Sequence, residues 1–226
     1  MPLDIRSVTS LLSSWSAPRL RELFGRDPWQ SAPWVSVLAS EGMVAAQLCY
    51  GRMLLTGTGV AKDMPAALDW FLRAAGQGNL DAVNMVGRCL DNGWGTAEDA
   101  QAAAAHYRRA AGAGHAWALY NLGHLYLDGR GVTRDVEIAY RCYRRAAEQG
   151  HERAMNLVGR CCEEGWGTAP DLAAAGYWYQ RSAHCGYFRG QYNWATLLLH
   201  QQRLQEASMW FQRAAAGWPA ADPQGA

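Results

Sequence analysis

Arg52, Arg88, His124 and Arg160 stand at 36-residue steps along the chain, and Asn84, Tyr120, Asn156 and Tyr192 keep the same step beside them. Guanidinium forks flanked by amide and phenol groups are suited to holding a carboxylate or the backbone carbonyls of a peptide. If the units that carry them stack, the cationic set lines a groove at intervals of about 10 Å, one helix-packing distance per half-unit or more. The simpler reading, and the default because surface ion pairs are common and individually weak, pairs these cations with Asp91, Asp128, Glu163 and Glu164 on a solvated face. Trp94 and Trp166 form a second constellation, each between two glycines in a GWGTA loop. Glycine neighbours cannot cover an indole. Each ring therefore either folds back onto the next unit, the favoured reading, or projects as an anchor on an aromatic rim, since interfaces select tryptophan.

Catalytic patterns are missing. No GxSxG elbow, HExxH helix, phosphate-binding loop or EF-hand loop occurs, and the single lysine, Lys62, has Gly59 rather than serine three residues before it. His106, His115, His151 and His184 with Cys185 would need unplanned convergence to hold a metal, so neither a metal nor a cofactor is expected. Cys49, Cys89, Cys142, Cys161, Cys162 and Cys185 form no CxxC pair, which favours buried reduced thiols over a disulfide or zinc framework.

The elements that position these residues follow from the period itself. Gly51, Gly87, Gly123 and Gly159 are 36 apart, as are Gly78, Gly114, Gly150 and Gly186, and so are the loop pairs from Gly57/Gly59 to Gly165/Gly167. Asp63, Asp99, Asp135 and Asp171 keep the phase, and so do several alanines and arginines. Each unit reads as two helices. The first runs from Ala45 to Leu55 and stops at Gly57; the second follows Asp63 and Pro65 and ends at Gly76 and Gly78. A glycine inside the first helix costs about 1 kcal/mol relative to alanine, so its recurrence at Gly51 implies close approach of the second helix where a Cβ would clash. The aromatics Trp70, Trp178 and Trp210 on the second helix are expected in the core. Neither helix buries its apolar face alone, so neighbouring pairs must stack.

Composition agrees. The chain has 226 residues, 39 alanines, 11 tryptophans and a formal net charge of +1, so it is a globular, helix-rich protein without the basic excess that nucleic acid or an anionic membrane calls for. Its N-terminus carries Asp4 and Arg6 with no signal-peptide core, and no run of ~18 apolar residues spans a bilayer, so a soluble, cytoplasmic setting is expected.

The stretch ALYNLGHLYLDGRGVTRDVEIAYRCYRRAAEQGH, Ala118 to His151, with its counterparts over about residues 34–218, resembles the Sel1-like repeat, a relative of the tetratricopeptide repeat. Thr96 and Thr168 in place of the loop valine, and His106 and Cys142 in place of an aromatic, are local departures. The resemblance implies an all-α superhelical solenoid whose inner face binds another protein. The expected division is a helical cap or arm at 1–33, broken by Gly25, Pro28 and Pro33, a half-unit at 34–44, full units at 45–80, 81–116, 117–152 and 153–188, a shortened unit at 189–218, and a frayed tail at 219–226. Units two and four are the most alike, as if a 72-residue block had been duplicated. The function expected is a non-catalytic scaffold that takes a peptide segment or helix of a partner in its groove. A small hydrolase or ligand-binding enzyme with its site in the groove is the alternative class, and an immunity or inhibitor protein for a toxin is the alternative within binding. A homodimer through the solenoid ends stays open.

Overall fold

The computed structural model describes residues 28–218, and the residues proposed for most of the cap and for the tail lie outside that span. Among the described residues every regular element is an α-helix, and the chain divides at Ala113/Gly114 into two compact units. The first holds α1 (Pro28–Ser40), α2 (Val44–Thr56), α3 (Met64–Gly76), α4 (Leu80–Asn92) and α5 (Ala100–Gly112). The second holds α6 (Ala116–Asp128), α7 (Val136–Glu148), α8 (Glu152–Glu164), α9 (Leu172–His184), α10 (Phe188–His200) and α11 (Leu204–Gly217). Within each unit consecutive helices pack on one another, the arrangement of an all-α repeat solenoid.

Termination and initiation are local. The first helix of each pair stops at Gly57, Gly93, Gly129 or Gly165, all with φ between +66° and +75°, and their backbone N–H groups donate back to the last turn. The second helix of each pair starts at the in-phase aspartate. Asp63 and Asp99 accept from Ala66 and Ala102, while Asp135 and Asp171 each accept from two backbone N–H groups. After α2, α4 and α8 the second loop glycine is pressed against the backbone at the start of an earlier helix of the same unit. A Cβ on Gly95 would run into the carbonyl of Met64, and one on Gly167 into that of Val136.

The glycine inside each first helix answers the steric expectation. A Cβ on Gly51 would come within 2.6 Å of the Phe71 ring, and one on Gly87 within 2.7 Å of Tyr107; Gly123 and Gly159 face Tyr143 and Tyr179 in the same way. Among the described residues these four rings are the fully buried aromatics. They sit one residue after the position expected to be core: Trp70 and Trp178 are only half-buried, with Arg73 and Arg181 stacked on their outer faces, and Trp210 alone of the three is buried. An indole is too large for the cleft above a glycine, whereas a phenyl ring fits it, so the indoles move to the rim. In the last pair Ala195 stands at the glycine position and its counterpart Phe211 is half-buried.

Pro33 does not break the chain. It lies inside α1, which therefore crosses the boundary expected at 33/34. It forfeits one helical hydrogen bond, but in the second turn and on the exposed side, where water reaches the carbonyl.

Candidate functional site

In the second unit α6, α8 and α10 enclose an open groove of about 460 Å³. Tyr120, His124, Asn156, Arg160, Tyr192 and Trp166, all singled out from the sequence, line it together. Helix periodicity explains this. Tyr120 and His124 are one turn apart on α6, and Asn156 and Arg160 one turn apart on α8, so each pair faces the same side. The corresponding residues of the first unit, Arg52, Asn84, Arg88 and Trp94, lie on α2, on α4 and in the loop after it; Arg52 is exposed, Arg88 and Trp94 are half-buried, and Asn84 is buried.

The floor of the groove is polar. Asn193 Nδ2 donates to Asn156 Oδ1 at 2.8 Å, joining α10 to α8. At one end Tyr120 stacks on His151, with ring centroids 4.8 Å apart, and meets His124 edge-on at 4.6 Å. Burial and the neighbouring Tyr187 push the Tyr120 phenol above its ordinary pKa, while Arg153, which bonds to it, and Arg189 pull the other way. Its proton therefore stays on at neutral pH, and Tyr120 serves as a hydrogen-bonding group rather than a base.

At the other end Arg160 lies over the Trp166 ring with its guanidinium carbon 4.9 Å from the centroid, and Arg88 lies over Trp94 at the same distance. Neither indole folds into the core or projects as a bare anchor. Each is half-buried and serves as a platform for the arginine six residues before it. Two of the four acidic residues proposed to pair with these arginines accept from core tyrosines: Tyr179 Oη donates to Glu163 Oε2 at 2.6 Å, and Tyr107 Oη to Asp91 Oδ2 at 3.4 Å. Two constellations that look separate in the sequence are thus one stacked pair, repeated in alternate units. The common offset of Arg88/Trp94 and Arg160/Trp166 was the signal for it.

Arg153, Tyr187, Arg189, Asn193 and Trp218 also line the groove and escaped the sequence reading. The signal was present, because Arg153 and Arg189 are 36 residues apart, as are His151 and Tyr187. These positions belong to the first turn and the N-cap of the first helix of each pair, a turn earlier than the face considered. His115 and His151 are themselves N-caps of α6 and α8, with Nδ1 accepting from Ala118 N–H at 3.1 Å and Ala154 N–H at 3.2 Å. His151 is buried, its pKa is lowered chiefly by that burial, and its Nε2 has no hydrogen-bond partner.

Four of the six cysteines are buried, while Cys49 is half-buried and Cys185 exposed. Burial pushes Cys89 up to about 11 and Cys161 up to about 12, so both remain thiols and weak nucleophiles. Among the described residues no three His, Cys, Asp or Glu side chains come together as a metal site, and no helix is long and apolar enough to cross a membrane.

The Sel1 repeat family model matches residues 44–79, 80–115, 118–151, 152–187 and 189–217. No match is found among curated proteins. Among solved structures, a Sel1 repeat protein from Oxalobacter formigenes is 29% identical, with a TM-score of 0.83 over 95% of this chain and 89% of that one. The protein c5321, a protective antigen of uropathogenic Escherichia coli, is 27% identical with a TM-score of 0.73; the match takes in 88% of this chain but only 44% of the antigen's. The immunity protein Pa5087 from Pseudomonas aeruginosa shares the fold at 19% identity and a TM-score of 0.59, over 96% of this chain and 81% of its own.

Proposed function

The chain belongs to the Sel1 repeat family, whose members are in general protein-interaction scaffolds, and from that premise we propose that it is a non-catalytic adaptor binding a segment of a partner protein in the groove of its second unit. One observation carries the reading: a solvent-open groove of about 460 Å³ whose walls combine aromatic rings, guanidinium groups and an amide pair. Such surfaces recognise peptides, because planar groups give large contact area at low conformational cost and arginine forks engage oxygen atoms. The burial of the ionisable groups favours binding over catalysis. The buried thiols and the Tyr120 phenol all hold their protons more tightly than usual, which is opposite to the activation a nucleophile or base needs. We assign Arg52, Asn84 and Arg88 the same kind of contact in the first unit, and we place the protein in the cytoplasm. The immunity reading has a shared fold behind it and no further observation, so it is not adopted.

The test pairs Arg160→Ala with Tyr192→Ala, both at exposed positions. Proteins retained by the wild-type chain in affinity purification should be lost by the double variant while the melting temperature is unchanged. Retention of the same partners by the double variant would remove the groove from the account.

A further inference from the structure

We infer that the occupant of this groove is an extended segment carrying two carboxylates three residues apart, a deepening that rests on the binding reading above. The first observation is charge. Arg153, Arg160 and Arg189 line the groove and no aspartate or glutamate does, although the chain as a whole is nearly neutral. The nearby Glu163 stands outside that lining, with one carboxylate oxygen accepting from Tyr179. A cationic recess on a balanced surface complements an anionic partner.

The second observation is preorganisation. The Arg160 guanidinium sits over the Trp166 ring, and a guanidinium supported on an aromatic face can still meet a carboxylate through the N–H donors along its edge. At the opposite end Arg153 lies over Trp117 at 5.3 Å and over Tyr187 at 5.9 Å, with Arg189 on the adjacent helix. Two cationic stations are thereby fixed on aromatic supports, so little side-chain entropy remains to be lost when a ligand arrives.

The third observation is spacing. Arg153 and Arg160 are seven residues apart on α8, which places their backbones about 10 Å apart along the helix axis. An extended segment of the polyproline II kind, with three residues per turn and about 3.1 Å per residue, brings side chains i and i+3 to the same side about 9 Å apart. A helical occupant would need a separation of seven residues, and its backbone, already hydrogen-bonded within itself, would offer nothing to the polar groove floor. The Asn156–Asn193 amide pair lies between the stations, where the backbone of an extended segment would pass.

The experiment uses the full chain as bait for a phage-displayed library of random twelve-residue peptides. Each enriched peptide is synthesised and its affinity measured against wild type, Tyr192→Ala, and Arg153→Glu with Arg160→Glu. We expect enrichment of Asp or Glu at positions i and i+3, a loss of roughly tenfold or more on removing either carboxylate, and a reversed preference for basic peptides in the charge-swapped variant. Peptides that bind in a Tyr192-dependent manner but are neutral, basic, or acidic at a seven-residue spacing overturn this inference and leave the binding reading intact. A library that yields no Tyr192-dependent peptide overturns both. Arg160→Lys, which keeps the charge but not the planar fork, should lose part of the affinity; wild-type affinity in that variant would show that the stacked fork plays no role.

Discussion

Placing a methyl group at Gly159 tests the packing logic of the whole fold. The added Cβ would meet the Cδ1 and Cε1 atoms of Tyr179 at 2.5 Å, closer than real Cβ contacts come. The ring cannot yield freely, because Tyr179 is fully buried and its hydroxyl is tied to Glu163 at 2.6 Å. Alanine gains about 1 kcal/mol of helix propensity over glycine. Against that stand an overpacking cost of about 1–3 kcal/mol and the weakening of a charge-assisted hydrogen bond, another ~1.5–3 kcal/mol if it is lost outright. The net expectation is destabilisation by about 2 kcal/mol, read as a lower midpoint in urea unfolding with an unchanged slope. Gly176→Ala is the internal control. It also lies within a helix, and its added Cβ meets only Leu197 at 3.5 Å and Trp194 at 3.7 Å, ordinary contact distances, so the propensity gain should survive and stabilise the protein. Replacing Tyr179 with alanine removes the obstacle, so Gly159→Ala should cost little in that background. Equal midpoints for Gly159→Ala and Gly176→Ala would refute the argument that ring contact, rather than local backbone preference, maintains these glycines.

The second loop glycine should be still less tolerant: Gly167→Ala combines φ +69° with a clash at the Val136 carbonyl, whereas Gly150→Ala bears only the cost of φ +90° in open space, so thermal melts should rank Gly167→Ala as the more damaging. Burial lowers the His151 pKa, so the unfolded chain binds the proton more readily than the folded one. Stability contributed by neutral His151 is therefore complete above its unfolded pKa of about 6.5 and falls as pH drops from there toward the lowered folded value, by at most about 1.4 kcal/mol per pH unit. Urea midpoints at pH 7.5 and 5.5 measure this, and His151→Asn, which keeps an N-cap acceptor of the kind Asn79 supplies to α4, should flatten the difference. In thiol labelling, exposed Cys185 should react in the native protein, while Cys89 and Cys161 should react only under unfolding conditions; native-state labelling of Cys89 would contradict its burial.

Regularity made the fold legible. A residue type returning every 36 positions marks a backbone requirement, and glycine at a helix stop, aspartate at a helix start and glycine beneath a ring each have one cause that can be read without coordinates. The misplacement of the core aromatic by one residue has a different origin. Two adjacent aromatics, such as Trp70 and Phe71, both fit an apolar stripe, and only the width of the cleft over Gly51 decides between them. Pro33 within α1 was obscured in a similar way, because the cost of the missing N–H depends on which side of the helix is wet. At the site, the helix faces of Asn156 and Arg160 followed from one-turn spacing. The stacking of Arg160 on Trp166 did not, since a loop's path after a left-handed residue sets where the indole goes. Arg153 and Arg189 were hidden because the first turn of a helix is also where capping occurs, and its side chains read as local rather than as ligand-facing.

Trp166 follows directly on Gly165, the residue whose left-handed backbone ends α8. One extra helical residue before that point would swing the indole by about 100° and carry it about 1.5 Å farther along the axis, leaving Arg160 without its perch. Punctuation and recognition are therefore written in the same letters here. An indel near this junction changes both together, which confines evolutionary tinkering at the groove to side-chain replacement.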